Sequence, residues 1–340
     1  MEPDRILVGD RRQVTALWTE QFRRNADVFE ELGLDRDAAQ ELVEGFLERA
    51  SHGRPPPALR ILEDPSGIGR IPLLTEADPE GRAFMLRWLS PIMGQVAVRG
   101  EENLQPLSGL IGQAPLTLVA NHISHLDAPA IFWALWNGAG PGRDLAERLV
   151  FLVGLFVSRA PFARLGLSLF GSILVCSPRD IEERRHLRPL MGRINHRAFH
   201  EARRLRAEGR VLAFFPEGTR SSDGRLQPFL ASLYRYIDQT IVIPVRLHNL
   251  HRLLPNSGLI LQKGTASVNF GKPVLVGDVP IEVPSKSTLR IRGAGEGRSR
   301  QAVMDELSEC VATGGFCPPP EDEALCEQEH GQRRGLSEDR

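Results

Sequence analysis

Leu116-Thr117-Leu118-Val119-Ala120 is a short run of strand formers that breaks off into a polar cluster, Asn121-His122-Ile123-Ser124-His125-Leu126-Asp127. A β-branched apolar run bounded by turn formers reads as a buried strand. Ala128 to Trp136 then continues with helical spacing and a proline, Pro129, in the first turn. The pattern predicts a strand that delivers a histidine to the start of a helix. Further apolar runs stand at Leu149 to Val157, Ser172 to Cys176, Val211 to Phe215, Ile241 to Leu247 and Ala266 to Phe270, with helical patterns between them. Such alternation leaves few options. It predicts an α/β fold, a mixed, largely parallel sheet flanked by helices, whose ligands gather at strand carboxyl ends.

Ahead of that unit, residues 1–99 read as a small N-terminal helical subdomain. Apolar residues recur every three or four positions from Arg11 to Leu34 and from Asp35 to Ala50, which predicts two amphipathic helices. Asp35-Arg36-Asp37 supplies N-cap chemistry for the second, and Gly53-Arg54-Pro55-Pro56-Pro57 stops it. Phe84 to Val98 also reads as helical, although Pro91 and Gly94 weaken the pattern. The α/β domain spans 100–313. The segment 314–340, with Pro318-Pro319-Pro320 and a charged run, lacks the apolar content to fold and is expected to be a disordered tail.

Charge is nearly balanced over the 340 residues, 42 Lys and Arg against 43 Asp and Glu, so no global field recruits nucleic acid. Four cysteines without Cys-x-x-Cys spacing favour reduced thiols. No apolar run approaches the roughly 18 residues of a spanning helix, and Met1 to Arg5 lacks the look of a signal peptide. The expectation is a cytoplasmic protein, with peripheral contact on the inner face of a membrane compatible with it.

His122 can act as a general base if a carboxylate holds its ring, and Asp127 follows at a reachable offset. Asn121, Ser124 and Asp127 could equally be ordinary caps of the next helix. A second strand, Val211 to Phe215, ends in Pro216-Glu217-Gly218-Thr219-Arg220-Ser221. Asn-His-x-Ser-x-x-Asp followed at this distance by Phe-Pro-Glu-Gly-Thr-Arg-Ser resembles the glycerolipid acyltransferases, which act on glycerol 3-phosphate and 1-acylglycerol 3-phosphate. The likeness covers roughly Gly100 to Pro273.

The resemblance implies transfer of a fatty acyl group from acyl-CoA or acyl carrier protein to a glycerol phosphate hydroxyl, without metal or cofactor. It assigns His122 and Asp127 to catalysis. Substrate binding falls to Glu217, Gly218, Thr219 and Arg220, with Arg220 as the phosphate's guanidinium fork, Arg179 as a second phosphate ligand and Ser124 beside the base. Oxyanion donors are unassigned; backbone N–H groups at a helix start could supply them. The run Arg184 to Arg210 is either a solvated helix face or a dock for an acyl carrier or anionic lipid.

Two readings of another class stand beside this one. His122, His125 and Asp127, completed by His248 or His251, could ligate the metal of a hydrolase. Alternatively the chain binds lipid or acyl carrier without catalysis. On the acyltransferase reading His125 is a helix-surface residue.

Overall fold

The computed structural model describes residues 18–52, 56–159, 161–221, 223–255, 258–279, 288–295 and 297–313. The expected tail over 314–340 and the start of the first helix lie outside them.

The two amphipathic stretches form helices α1 (Asn25–Glu31) and α2 (Arg36–His52). Asp35 caps the second, its Oδ1 accepting the Ala38 N–H at 2.9 Å. The third helix, α3 (Pro79–Met93), begins with Pro79 behind the Asp78 cap and ends sooner than the periodicity predicts. At Gly94 the chain leaves the helix, and Val96–Arg99 pairs parallel with Ala266 to Asn269 instead. Val96 and Val98 fit a helical face and a strand alternation alike. The edge of the sheet decides between them by offering backbone partners.

The strands are β1 (Leu74–Thr75), β2 (Val96–Arg99), β3 (Leu116–Ala120), β4 (Leu149–Gly154), β5 (Gly171–Val175), β6 (Val211–Phe214), β7 (Thr240–His248), β8 (Ala266–Phe270), β9 (Val274–Val276) and β10 (Leu289–Ile291). Their order is β1-β5-β4-β6-β3-β7-β8-β2, with β9 on β7 and β10 on β9. The run from β5 to β7 is parallel; β1, β8 and β9 pair antiparallel with their neighbours β5 and β7. The sheet is mixed and largely parallel. The run Leu149 to Val157 is a strand only as far as Gly154, after which Leu155–Arg159 turns helical.

Alternate residues of the central strands serve two apolar layers. Leu118, Phe151 and Ala213 face one layer while Val119, Val150, Leu212 and Phe214 face the other. The first layer also holds Phe29, Phe46, Trp88 and Leu89 from α1, α2 and α3. The N-terminal helices therefore share one core with the sheet, and the division expected at 99/100 falls at the end of β2. The second layer is closed by α4 (Arg188–Ala207), which buries Leu190, Met191, Ile194, Ala198 and Leu205.

Several arginines of that helix are engaged within the protein. Arg197 donates to the carbonyls of Ile68 and Ile71, Arg206 donates to the Tyr236 carbonyl at 2.9 Å, and Arg204 pairs with Glu201 and Glu208.

Candidate active site

Strands β3 and β6 lie side by side and parallel, with Val119 opposite Phe214. Each continues three residues past that pair to a residue of the two polar clusters, His122 on one and Glu217 on the other. The tips are laced together through the backbone of His122. Its N–H donates to Glu217 Oε1 at 2.6 Å, and its carbonyl accepts the Ser221 N–H at 2.7 Å. On the other flank Asn121 imitates a peptide unit toward β7. Its Nδ2 donates to the Leu247 carbonyl at 3.0 Å and its Oδ1 accepts the Leu247 N–H at 2.7 Å. An asparagine amide carries both a donor and an acceptor, which this double contact requires.

The His122 ring is fixed on two sides. Nδ1 donates to Asp127 Oδ2 at 2.7 Å, and the ring stacks on Phe215 with centroids 4.2 Å apart and planes 11° from parallel. Asp127 is fully buried, and the same Oδ2 accepts the N–H groups of Ile123 at 2.6 Å and Ser124 at 2.9 Å. A carboxylate acceptor at Nδ1 assigns the ring proton there, so Nε2 carries the lone pair. The side chain keeps 21% of its surface exposed, enough for a reactant to reach Nε2.

Glu217 has a different place from the one the resemblance implies. With Oε1 on the His122 N–H, its Oε2 accepts the Gln227 N–H at 2.7 Å. Each oxygen therefore meets a backbone donor of the protein itself. Burial pushes the carboxyl up to about 7 against the pull of those two N–H groups. Gly218 follows at φ +72°, where a Cβ would lie 2.6 Å from Leu230 Cδ1; the turn needs glycine for both reasons.

A cavity of about 520 Å³ opens from His122. The sheet side contributes His122, Ser124, His125, Phe151, Phe215 and Arg220, and the N-terminal helices contribute Phe46, Ala50, Met85 and Trp88. His122 and Arg220 thus line one space. Its remaining wall is mostly apolar, with Arg164 of the helical segment Pro161–Gly166 as a further cation.

Other residues singled out in the sequence fall in varied places. Ser124 braces the turn, its Oγ donating to the Leu254 carbonyl and accepting the Leu126 N–H, each at 3.2 Å. Gly218 and Thr219 are exposed beside the cavity mouth residue Arg220. Arg179 is exposed on Pro178–Glu183 and pairs with Glu183 at 2.8 Å, outside the residues that line the cavity. The Ser177 and Asp180 capping box starts that helix directly after the strand and fixes where Arg179 stands.

His125 is half-buried on the cavity wall rather than on the helix surface, because the turn closes before the helix begins at Asp127. Burial, together with the charges of Arg220 and His122, lowers it to about 3. Among the described residues, no three His, Cys, Asp or Glu side chains gather to hold a metal ion. His248 ends β7 and His251 follows in Leu250–Leu253. Sequence reasoning missed Phe215 and Ser221 as supports of His122. The motif spacing marks the second strand tip, but only the pairing of the two tips shows what those residues touch.

Residues 95–248 match the family model described as Acyltransferase. A 1-acyl-sn-glycerol-3-phosphate acyltransferase of Borreliella burgdorferi is 29% identical over 179 residues, 51% of this chain and 60% of that protein. The chloroplastic BAT2 enzyme of that name from Brassica napus is 29% identical over 180 residues, 52% of this chain and 44% of its own length. That of Chlamydomonas reinhardtii is 27% identical over 164 residues, 48% of this chain and 41% of that protein. The chain therefore spans about half the length of these relatives. The crystal structure of the 1-acyl-sn-glycerophosphate acyltransferase PlsC from Thermotoga maritima superposes with a TM-score of 0.43 at 19% identity, covering 89% of this chain and 96% of that one. Both strand tips lie inside the matched segment, and over that segment the chain is similar to the acyltransferases.

Proposed function

We propose that this protein transfers a fatty acyl group from an acyl thioester, acyl-CoA or acyl carrier protein, to the free hydroxyl of 1-acylglycerol 3-phosphate. Glycerol 3-phosphate is the competing acceptor. One observation carries the reading: a histidine with a free Nε2, held by a buried carboxylate, faces an apolar cavity that also presents a guanidinium. The names of the three relatives favour the acylated acceptor.

In this reading His122 Nε2 takes the acceptor's hydroxyl proton as the oxygen attacks the thioester carbonyl. Asp127 steadies the imidazolium that forms. The tetrahedral adduct collapses with cleavage of the C–S bond, and the thiolate leaves with the proton that His122 returns. Arg220 holds the acceptor's phosphate by paired N–H donors. The apolar cavity takes the acyl chain, which gives the N-terminal helices a share in donor binding. No helix among the described residues is long and apolar enough to cross a membrane.

The test is thiol release from palmitoyl-CoA with purified protein and a panel of 1-acylglycerol 3-phosphate, glycerol 3-phosphate and monoacylglycerol. Acceptor-dependent release, greatest with the first and reduced about 10²–10⁴-fold in His122→Ala, is the expected result. Release that ignores the acceptor would identify a thioesterase, and no release would refute catalysis.

A further inference from the structure

Acyl transfer places a full negative charge on the former carbonyl oxygen of the thioester, and that charge needs hydrogen-bond donors. The start of the helix after β3 is the natural source, yet most of its N–H groups already have partners. The His122 N–H goes to Glu217, those of Ile123 and Ser124 go to Asp127 Oδ2, that of Leu126 goes to Ser124 Oγ, and that of Asp127 goes to the Ser124 carbonyl. The turn uses its own amides to hold the His122 and Asp127 pair together.

The polar side chains of the same turn are similarly engaged, with one exception. Asn121 binds β7, His122 binds Asp127, and Ser124 bridges Leu254 and Leu126. Among the described residues, the His125 side chain makes no hydrogen bond within the protein, although it is half-buried on the cavity wall with His122 and Arg220. Because burial and its two cationic or ionisable neighbours keep the ring neutral, it retains one N–H donor at any pH where His122 could act. A neutral imidazole is a competent electrophile for a carbonyl oxygen.

We infer that His125 is a catalytic residue of the acyl transfer, donating its ring N–H to the oxyanion formed when the acceptor oxygen attacks the thioester carbonyl. No proton changes hands at His125. The acceptor's proton goes to His122 Nε2, the carbonyl's π electrons move to oxygen as the C–O bond forms, and they return as the C–S bond breaks. The hydrogen bond strengthens as charge develops and relaxes on collapse. This role rests on the acyl-transfer reading, and the same interaction cannot serve phosphate binding without changing the acceptor's KM.

The experiment compares wild type with His125→Ala, His125→Gln and His125→Phe under saturating palmitoyl-CoA and 1-acylglycerol 3-phosphate. The alanine and phenylalanine variants should lose about 10²–10³-fold in kcat with both KM values within threefold of wild type. Glutamine, which restores an N–H donor of similar reach, should recover at least tenfold over alanine. The shape of the kcat pH profile should be the same in all four proteins. A His125→Ala enzyme with kcat within threefold of wild type, or a loss confined to the acceptor's KM, overturns the assignment. Wild type without acceptor-dependent thiol release overturns the acyl-transfer reading and the role of His125 with it.

Discussion

The backbone N–H of His122 rests on the carboxylate of Glu217 at 2.6 Å, across 95 residues of sequence. That contact joins His122 to the second strand tip, and the Ser221 N–H closes the other side of the same residue, on its carbonyl. On the acyl-transfer reading, Glu217 acts through the position of His122. On that reading a displacement of His122 by an ångström can cost about 10²-fold in rate, which makes the buried Glu217 carboxyl a positioning residue.

Glu217→Gln should lower kcat by roughly 10–10²-fold while leaving the acceptor's KM near its wild-type value. An amide has one acceptor oxygen, so one of the two N–H groups, on His122 or Gln227, loses its partner. Steady-state kinetics decide the point. A rise in acceptor KM at unchanged kcat would mean that Glu217 touches substrate.

The same residue makes stability depend on pH. Its folded carboxyl is pushed up from 4.5 to about 7, so between those values the folded state binds the proton more tightly than the unfolded chain. Stability from this source is complete below about pH 4.5 and falls as pH rises to 7, by on the order of 3 kcal/mol in total. Urea denaturation at pH 4.5, 6 and 7.5 should show that decline in wild type and a flatter profile in Glu217→Gln. Parallel profiles would sink it.

Asp127→Asn should reduce kcat by roughly 10³–10⁴-fold, the scale on which an inverted ring tautomer silences a histidine base. The asparagine amide can donate toward Nδ1 and move the ring proton to Nε2. Binding of palmitoyl-CoA, followed by calorimetry, should stay close to wild type. Loss of binding together with rate would show instead that the turn had come apart.

Arg220→Lys keeps the charge but loses the planar pair of donors that matches a phosphate. The KM for 1-acylglycerol 3-phosphate should rise about tenfold or more, and the slow reaction of monoacylglycerol should be unaffected. Equal losses with both acceptors would remove the phosphate from this residue.

Ala50 is buried on Arg36–His52 and lines the cavity from the N-terminal side. Ala50→Phe should shift donor preference to shorter acyl chains, with discrimination of roughly 10–200-fold for each methylene that no longer fits. A chain-length panel of acyl-CoA donors measures this. An unchanged preference would place the acyl chain elsewhere.

The local pattern of residues determined much of this protein on its own. Leu116 to Ala120 and Ala266 to Phe270 read as the strands they form, and the helical spacing from Ala128 to Trp136 falls within the helix Asp127–Asn137. His122 and Asp127 were legible as a pair because they stand five residues apart, within one turn whose geometry the sequence controls. Tertiary structure decided what these residues meet. Val96 to Arg99 is a strand because an edge was open to it, and Arg179 pairs with Glu183 because a capping box began a helix beneath it. Glu217 serves the backbone of His122, and His125 lines the cavity, because β3 and β6 are neighbours in the sheet. Residues within one turn have few conformations to choose among, so their relation follows from the sequence itself. Strands far apart along the chain become neighbours only through the burial of whole apolar faces, a property of the assembled core that no short stretch carries.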